Sequence, residues 1–345
     1  LPGDPDSVAI VRREVDSSGD DGVGIYTNGV MRSVKASSVY GPRSLAFSDS
    51  PSRLYGYDNY TSAYAFSRLD IGPDGVTLVD STERLLTGYY ANIHFVVLDS
   101  AGSDRSSTGP MLTWLRADLA AQPAGKPIVV GIHIPVVTTY PQRRRESPPD
   151  APYWEVTNRD VLTDLLAAHR VRLVLQGHMH ENERTVVKGV EYVTSISLSG
   201  SWYQSGQGFE RGVDGCPRGY RIVSVDGTKV THRYQSSCES RVDPQGEFYG
   251  LDKPVARGTA VPLVFNCYDA PNGSTAEARL DDGAWQPMPA FAAMNEKIGL
   301  AMPHHFRLQA DTSALAPGRH TITARVRWPD GQVVEETAAL TVSGG

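Results

Sequence analysis

"NRDVLTDLLAAHRVRLVLQGHMH", residues 158–180, runs a helix, a strand and a turn together. Val161, Leu162, Leu165 and Leu166 recur at helical spacing behind Asn158, a residue type suited to the N-cap. "VRLVLQ" (171–176) then becomes a short apolar run, the pattern of a buried strand. Gly177 follows, and two histidines separated by one residue close the stretch.

The same rhythm holds upstream. "KPIVVGIHIP" (126–135) and "HFVVLDS" (94–100) read as two more buried strands. "STGPMLTWLRADLAAQ" (107–122) between them reads as a helix. Ser107 or Thr108 suits its N-cap, Pro110 its first turn, and Met111, Trp114, Leu115 and Leu119 form its apolar stripe. The order β-α-β-α-β predicts an α/β segment of parallel strands and crossover helices. "GVEYVTSIS", "GYRIVSVDG" and "KVTHRYQSS" predict an antiparallel finish.

Residues 1–90 and 241–345 read differently from this 91–240 core. The first segment is rich in Ser, Gly, Asp and Tyr, with short β-like runs between turn residues. It predicts a β-rich antiparallel meander similar to one blade of a β-propeller. The last segment alternates and carries the turn signals Pro271-Asn272-Gly273 and Pro329-Asp330-Gly331, predicting a C-terminal β-sandwich.

Composition sets limits. Of 345 residues, 40% are hydrophobic and 21% charged, enough apolar residue to build a core. The net charge of -6 argues against a basic nucleic-acid-binding face, and no apolar run has bilayer length. Neither nucleic acid nor membrane is therefore an expected partner. Cys216, Cys238 and Cys267 follow no zinc-ribbon spacing; Cys216 and Cys238 flank a predicted hairpin, where a disulfide is one option.

In a parallel sheet, functional groups collect beyond the carboxyl ends of the strands. His133, His178, His180 and Asp99 all fall there. Imidazole is the commonest ligand for transition metals, and Gly177 lets the chain turn so that both later histidines face one site. Each histidine alone suits an ordinary core role; together they point to a metal. The other six, His94, His169, His232, His304, His305 and His320, read as structural.

"GIHIP" and "GHMHENER", with "GSWYQSGQGFERGVDGCPRGYRIVSVDGTKVTHRYQSS" (200–237), resemble the C-terminal half of the calcineurin-like metallophosphoesterases, which include the purple acid phosphatases. "ARLDDGAWQPM" and "LAPGRHTITARV" resemble the accessory domain of secreted bacterial members. The likeness covers about three quarters of the chain. The resemblance implies half of the family's β-sandwich, a divalent Zn, Mn or Fe centre of one or two ions, and a secreted or periplasmic location. It assigns His133 and His178 to one metal and His180 to the other. The family's N-terminal motifs D-x-H, G-D-x-x-D and G-N-H-[DE] do not occur in this sequence.

That departure predicts a reduced three-histidine site, completed by Asp99, Glu181 or Glu183. It also suggests a chimera joined near "NIHFVVLDS", and a homodimer in which a partner chain covers the exposed sheet edge. The expected activity is hydrolysis of phosphodiesters or phosphotriesters by metal-bound hydroxide, with His133, His178, His180 and Asp99 as the catalytic set. Candidate contacts to a small phosphate-ester substrate are Trp202, Tyr203, Arg145 and Arg218. Arg143 and Arg144 share the loop of Arg145 and read equally as a solvated charge run, and Asp214 as a turn former. The competing readings are a weak or inactive metal-binding remnant serving as a secreted binding module, and hydrolysis of carboxylic esters or lactones.

Overall fold

A computed structural model describes residues 1, 3–12, 22–37, 44–47, 50–58, 65–83, 86–90, 93–100, 109–144, 154–201, 210–237, 244–258 and 260–344. The fold is strand-rich, with few helices. The chain divides into two compact units: Leu1–Asp99 with Ala121–Ile128, and Ser100–Ala120 with Val129–Gly345.

In the first unit, strands Ser7–Arg12 and Gly22–Thr27 pair antiparallel, with short strands Val30–Met31 and Ala36–Ser37 beside the latter. A four-stranded antiparallel meander follows: Ser44–Phe47, Arg53–Asp58, Ala65–Gly72 and Gly75–Glu83. Val23, Ile25, Ala36, Leu54, Leu69 and Val76 join the two sheets in one core. Arg32 ties them further, donating to Thr27 Oγ1 at 3.0 Å and to the Gly72 carbonyl at 3.0 Å. Gly75, at φ +142°, leaves no room for a side chain, because a Cβ there would lie 1.9 Å from the Val34 carbonyl oxygen. Strands Leu86–Tyr90 and Ile93–Leu98 form a final hairpin.

In the second unit, Val129–Gly131 of strand Ile128–Ile132 pairs parallel with Leu173–Leu175 of strand Leu173–Gln176. Helix Arg159–Ala168 connects them and buries Leu162, Leu165 and Leu166. Val161 is instead 40% exposed, and buried Thr163 takes a place on the inner face. Asn158 stands at the N-cap, but its side chain makes no capping bond. Its φ of -105° and ψ of 33° are not the extended geometry such a bond needs. The other predicted helix spans Pro110–Ala120 and buries Leu115 and Leu119; its suggested caps, Ser107 and Thr108, lie outside the described residues.

Leu173–Gln176 also pairs parallel with Val190–Thr194, which forms an antiparallel hairpin with Glu183–Val187. Strands Gly219–Asp226 and Lys229–Ser236 make a second hairpin. The same unit holds the C-terminal sandwich. One sheet orders Gly246–Tyr249, Val261–Cys267 and His305–Ala310; the other orders Gln286–Met288, Thr275–Leu280, Gly318–Arg327 and Val333–Val342. Alternate residues point inward, so Leu263, Phe265 and Cys267 meet Ile322, Ala324 and Val326 in one core.

A buried charge network supports the junction between hairpin and sandwich. Arg221 grips Asp269 with two bonds of 2.8 and 2.7 Å. Arg184 pairs with Glu191 at 2.7 Å and stacks over Trp328 at 4.6 Å. His232 lies between Arg221 and Glu191, 2.9 Å and 3.3 Å away. Burial alone would raise the Glu191 carboxyl, but His232 and Arg184 hold it at about 2.

Candidate functional site

Strand register brings the first histidines together. Gly131 faces Leu175 across the parallel pair, so two residues further on His133 meets Gly177. The Gly177 N–H donates to the His133 carbonyl at 3.0 Å. His178 then turns back, and its ring stands edge-on to His133, with centroids 5.2 Å apart at 76°.

The turn itself is set by Met179. Its side chain is buried with Tyr140, Val213 and Leu300. With Met179 fixed inward, the flanking residues adopt left-handed backbone, His178 at φ 69° and His180 at φ 55°. Such a conformation is costly for residues with a Cβ, and two in three positions is an outlier of the kind that collects at functional sites. His180 Nδ1 donates to the Gly200 carbonyl at 2.6 Å, which orients the ring. His133 is held below the usual imidazole range by desolvation and by His180, so it stays neutral near pH 7. Imidazoles are the donor type a divalent transition metal takes, but the ligand nitrogens of His133, His178 and His180 do not form a group within 4.8 Å of one another in this structure.

Buried polar groups hold this segment in place. Gln176 Oε1 accepts the Val136 N–H at 3.0 Å, and its Nε2 donates to Thr194 Oγ1 at 3.0 Å. Ser100 Oγ accepts the Ile134 N–H at 2.8 Å. The Val213 N–H donates to the His180 carbonyl at 3.1 Å. Gly212 packs tightly behind that carbonyl. A Cβ there would lie 2.6 Å from the His180 oxygen, 2.7 Å from Asp214 Oδ1 and 2.5 Å from Ile196 Cδ1. Gly212→Ala is expected to cost about 1–3 kcal/mol by overpacking, measured as a lowered urea midpoint.

Asp99 belongs to the first unit, at the end of strand Ile93–Leu98. Glu183 is engaged by the loop after His133: Thr138 Oγ1 donates to it at 2.6 Å, and the Thr139 N–H at 2.9 Å. Glu181 pairs with Arg143, which also donates to the Ala301 carbonyl at 2.8 Å. Both carboxylates therefore serve to fix the loop, a correction to their reading as spare metal ligands. Arg144 lies against Tyr140 and Trp154, at 5.8 and 5.3 Å. Arg143 is thus engaged by a buried carboxyl rather than part of a solvated run, and Arg144 is half-buried against two rings. Arg218 is half-buried; its N–H donates to the Glu210 carbonyl and its carbonyl accepts from Ser237. Trp202, Tyr203, Arg145 and Cys238 lie outside the described residues, whereas Cys216 and Cys267 are free buried thiols.

Glu181 has a titration consequence. Its Oε2 is buried without a partner among the described residues. Burial first, then the charges of Glu183 and Asp214, push its carboxyl up to about 8 against the opposing pull of Arg143. The unfolded chain loses this proton near 4.5 while the folded chain keeps it to about 8. Stability therefore falls as pH rises through that window. Glu181→Gln should remove this part of the slope, so its urea midpoint should decline less than the wild type's between pH 5 and pH 8, both values of about this range.

Sequence reading missed a tighter group. Asp214, Cys216 and His304 place their ligand atoms within 4.8 Å of one another, the one such group of three among the described residues. Burial would raise the Asp214 carboxyl, but His304 and the N–H groups of Asn182 and Cys216 hold it low. Burial, and then Asp214, push the Cys216 thiol up.

With the geometry in view, likenesses to known proteins can be placed. Residues 191–327 match the family model for the C terminal of calcineurin-like phosphoesterase. That match supports a phosphoesterase-related family. It begins after His180 and includes Asp214, Cys216 and His304. No curated protein matches the chain significantly. Among solved structures, the chain is similar to CopC from Methylosinus trichosporium OB3b, at 22% identity over 26% of this chain and 78% of that one, with a TM-score of 0.17. It is also similar to the endo-beta-1,4-mannanase from Thermotoga petrophila, at 13% identity over 74% of this chain and 48% of that one, with a TM-score of 0.22. Likenesses at these scores carry no weight for the fold.

Proposed function

We propose that this chain hydrolyses phosphate esters with a divalent transition metal held by His133, His178 and His180. The observation that carries the reading is the turn around buried Met179, which sets the His178 ring against that of His133. The family match adds support, since metallophosphoesterases generally bind divalent metals. When bound, such an ion supplies Lewis acidity for activating water and offsetting phosphoryl charge.

The chain's own residues define the rest. His133 is neutral and needs no proton removed before it donates its lone pair. The His180 ring is held through Nδ1 by the Gly200 carbonyl. Arg143 and Arg144 are already committed, to Glu181 and to the Tyr140–Trp154 pair. A single divalent ion offsets less charge than a dianionic monoester brings. Phosphodiesters and phosphotriesters, which carry less charge, are the substrate class that suits such a site.

The test compares a nitrophenyl phosphomonoester with a bis(nitrophenyl) phosphodiester on manganese- or zinc-loaded protein. The proposal expects kcat/KM to be at least about tenfold higher for the diester, about 1.4 kcal/mol in transition-state binding. A monoester preference would overturn the substrate assignment. Metal binding at the histidines without hydrolysis of either ester would favour the binding-module reading.

A further inference from the structure

We infer that Asp214, Cys216 and His304 form a second metal site, closed and structural, for a zinc-class divalent cation. The site is separate from the three-histidine cluster in its ligands and does not rest on the phosphoesterase reading.

Asp214 and Cys216 sit on one tight turn, in which the Gly212 N–H donates to the Cys216 carbonyl at 2.8 Å. His304 comes from the residue before strand His305–Ala310, in left-handed backbone at φ 50°. Its Nε2 lies 3.3 Å from Asp214 Oδ2 and 3.9 Å from Cys216 Sγ. Zn–N bonds of about 2.0–2.1 Å and Zn–S bonds of about 2.3 Å, at tetrahedral angles, give ligand separations of about 3.3 Å for N and O and about 3.6 Å for N and S. The observed spacings are close to these.

The proton inventory points the same way. Asn266 Nδ2 donates to Tyr249 Oη at 2.8 Å and to the Asp214 carbonyl at 3.3 Å, so its Oδ1 is an acceptor. His304 Nδ1, 2.8 Å from that Oδ1, must therefore be the donor. In the neutral ring the Nε2 lone pair then faces a carboxylate oxygen. Two lone pairs in contact inside a protein repel, so a cation belongs between them: a second proton or a metal. A proton satisfies the carboxylate and leaves the thiol donating to the Tyr268 carbonyl at 3.4 Å; a metal would take the place of both protons. A zinc-class ion uses all three groups, and a histidine whose other nitrogen is anchored by an amide oxygen is the usual support for a metal ligand.

The charges also balance. Loading the site releases two protons to solvent, one from the Cys216 thiol and one from His304 Nε2, and leaves a dication with one thiolate, one carboxylate and a neutral imidazole. The side chains of Asp214 and His304 are 0% and 1% exposed, and Cys216 is buried, so no position is open to substrate. Tyr268 places its carbonyl 3.4 Å from Sγ, an oxygen on hand for a fourth position. The effect is to staple the sandwich to the segment after His180, because Asp214 Oδ2 also accepts the Asn182 N–H at 2.7 Å.

The test loads the full chain with Co²⁺. The three-histidine cluster contains no sulfur, so a sulfur-to-cobalt charge-transfer band that depends on Cys216 reports this site. The inference expects the band in the wild type and in His178→Ala, and its loss with one equivalent of cobalt in Cys216→Ser. A wild type without the band, or a band that survives Cys216→Ser, would overturn it. Where Cys216→Ser does not fold, zinc-edge absorption of the wild type decides: a sulfur neighbour at about 2.3 Å supports the site, and its absence overturns it.

Discussion

His178→Ala and His180→Ala should each lower phosphodiester hydrolysis by at least about 100-fold, because losing a ligand exceeds the 10–100-fold typical of losing a ligand's support. Metal content should fall in parallel. Both positions sit in left-handed backbone, where alanine is strained, so a loss of folding must be separated from a loss of ligand. Asparagine tolerates that conformation. His178→Asn and His180→Asn should therefore keep the wild-type urea midpoint and still lose activity. Near-wild-type hydrolysis in the folded asparagine variants would remove these two imidazoles from the site.

Asp269→Ala should destabilise the second unit by about 3–5 kcal/mol, the usual cost of removing one partner from a buried ion pair. Asp269 is 2% exposed and accepts both Arg221 bonds, with Arg184 a further 3.9 Å away. Alanine would leave the Arg221 guanidinium, on a side chain 4% exposed, without its counter-charge. Burial alone would raise the Asp269 carboxyl, but Arg221 holds it below the ordinary value of 3.8. Its contribution is therefore present above that value and is lost as pH falls through the lower folded one. Urea unfolding at pH 7 should show the full loss, and the gap between wild type and variant should narrow in acid. A loss below about 1 kcal/mol would mean that Arg221 finds another partner.

Much of the architecture was legible because it is written in local periodicity. Leu162, Leu165 and Leu166 marked a helix face, and alternation through Ile322, Ala324 and Val326 marked a sandwich strand. The meander from Ser44 to Glu83 was visible in its turn residues. His133 and the His178–His180 pair stood out because each follows a recognisable strand.

What stayed hidden depended on tertiary partners. Nothing local distinguishes Glu183 as a clamp for Thr138 and Thr139, 45 and 44 residues away, from a carboxylate open to metal. Arg143 looked like part of a charge run until Glu181 was found beneath it. His304 lies 90 residues from Asp214, and only the packing of the sandwich on the 212–217 turn brings them together. Val161 sat at helical spacing, yet the inner face is centred one residue on.

The most direct test of the central claim is an anomalous-difference map from zinc- or manganese-soaked crystals, collected on both sides of the metal's absorption edge. The account predicts an edge-dependent peak within bonding distance, about 2.0–2.2 Å, of imidazole nitrogens from His133, His178 and His180. Absence of a peak there, in crystals that take up the metal elsewhere, would contradict it.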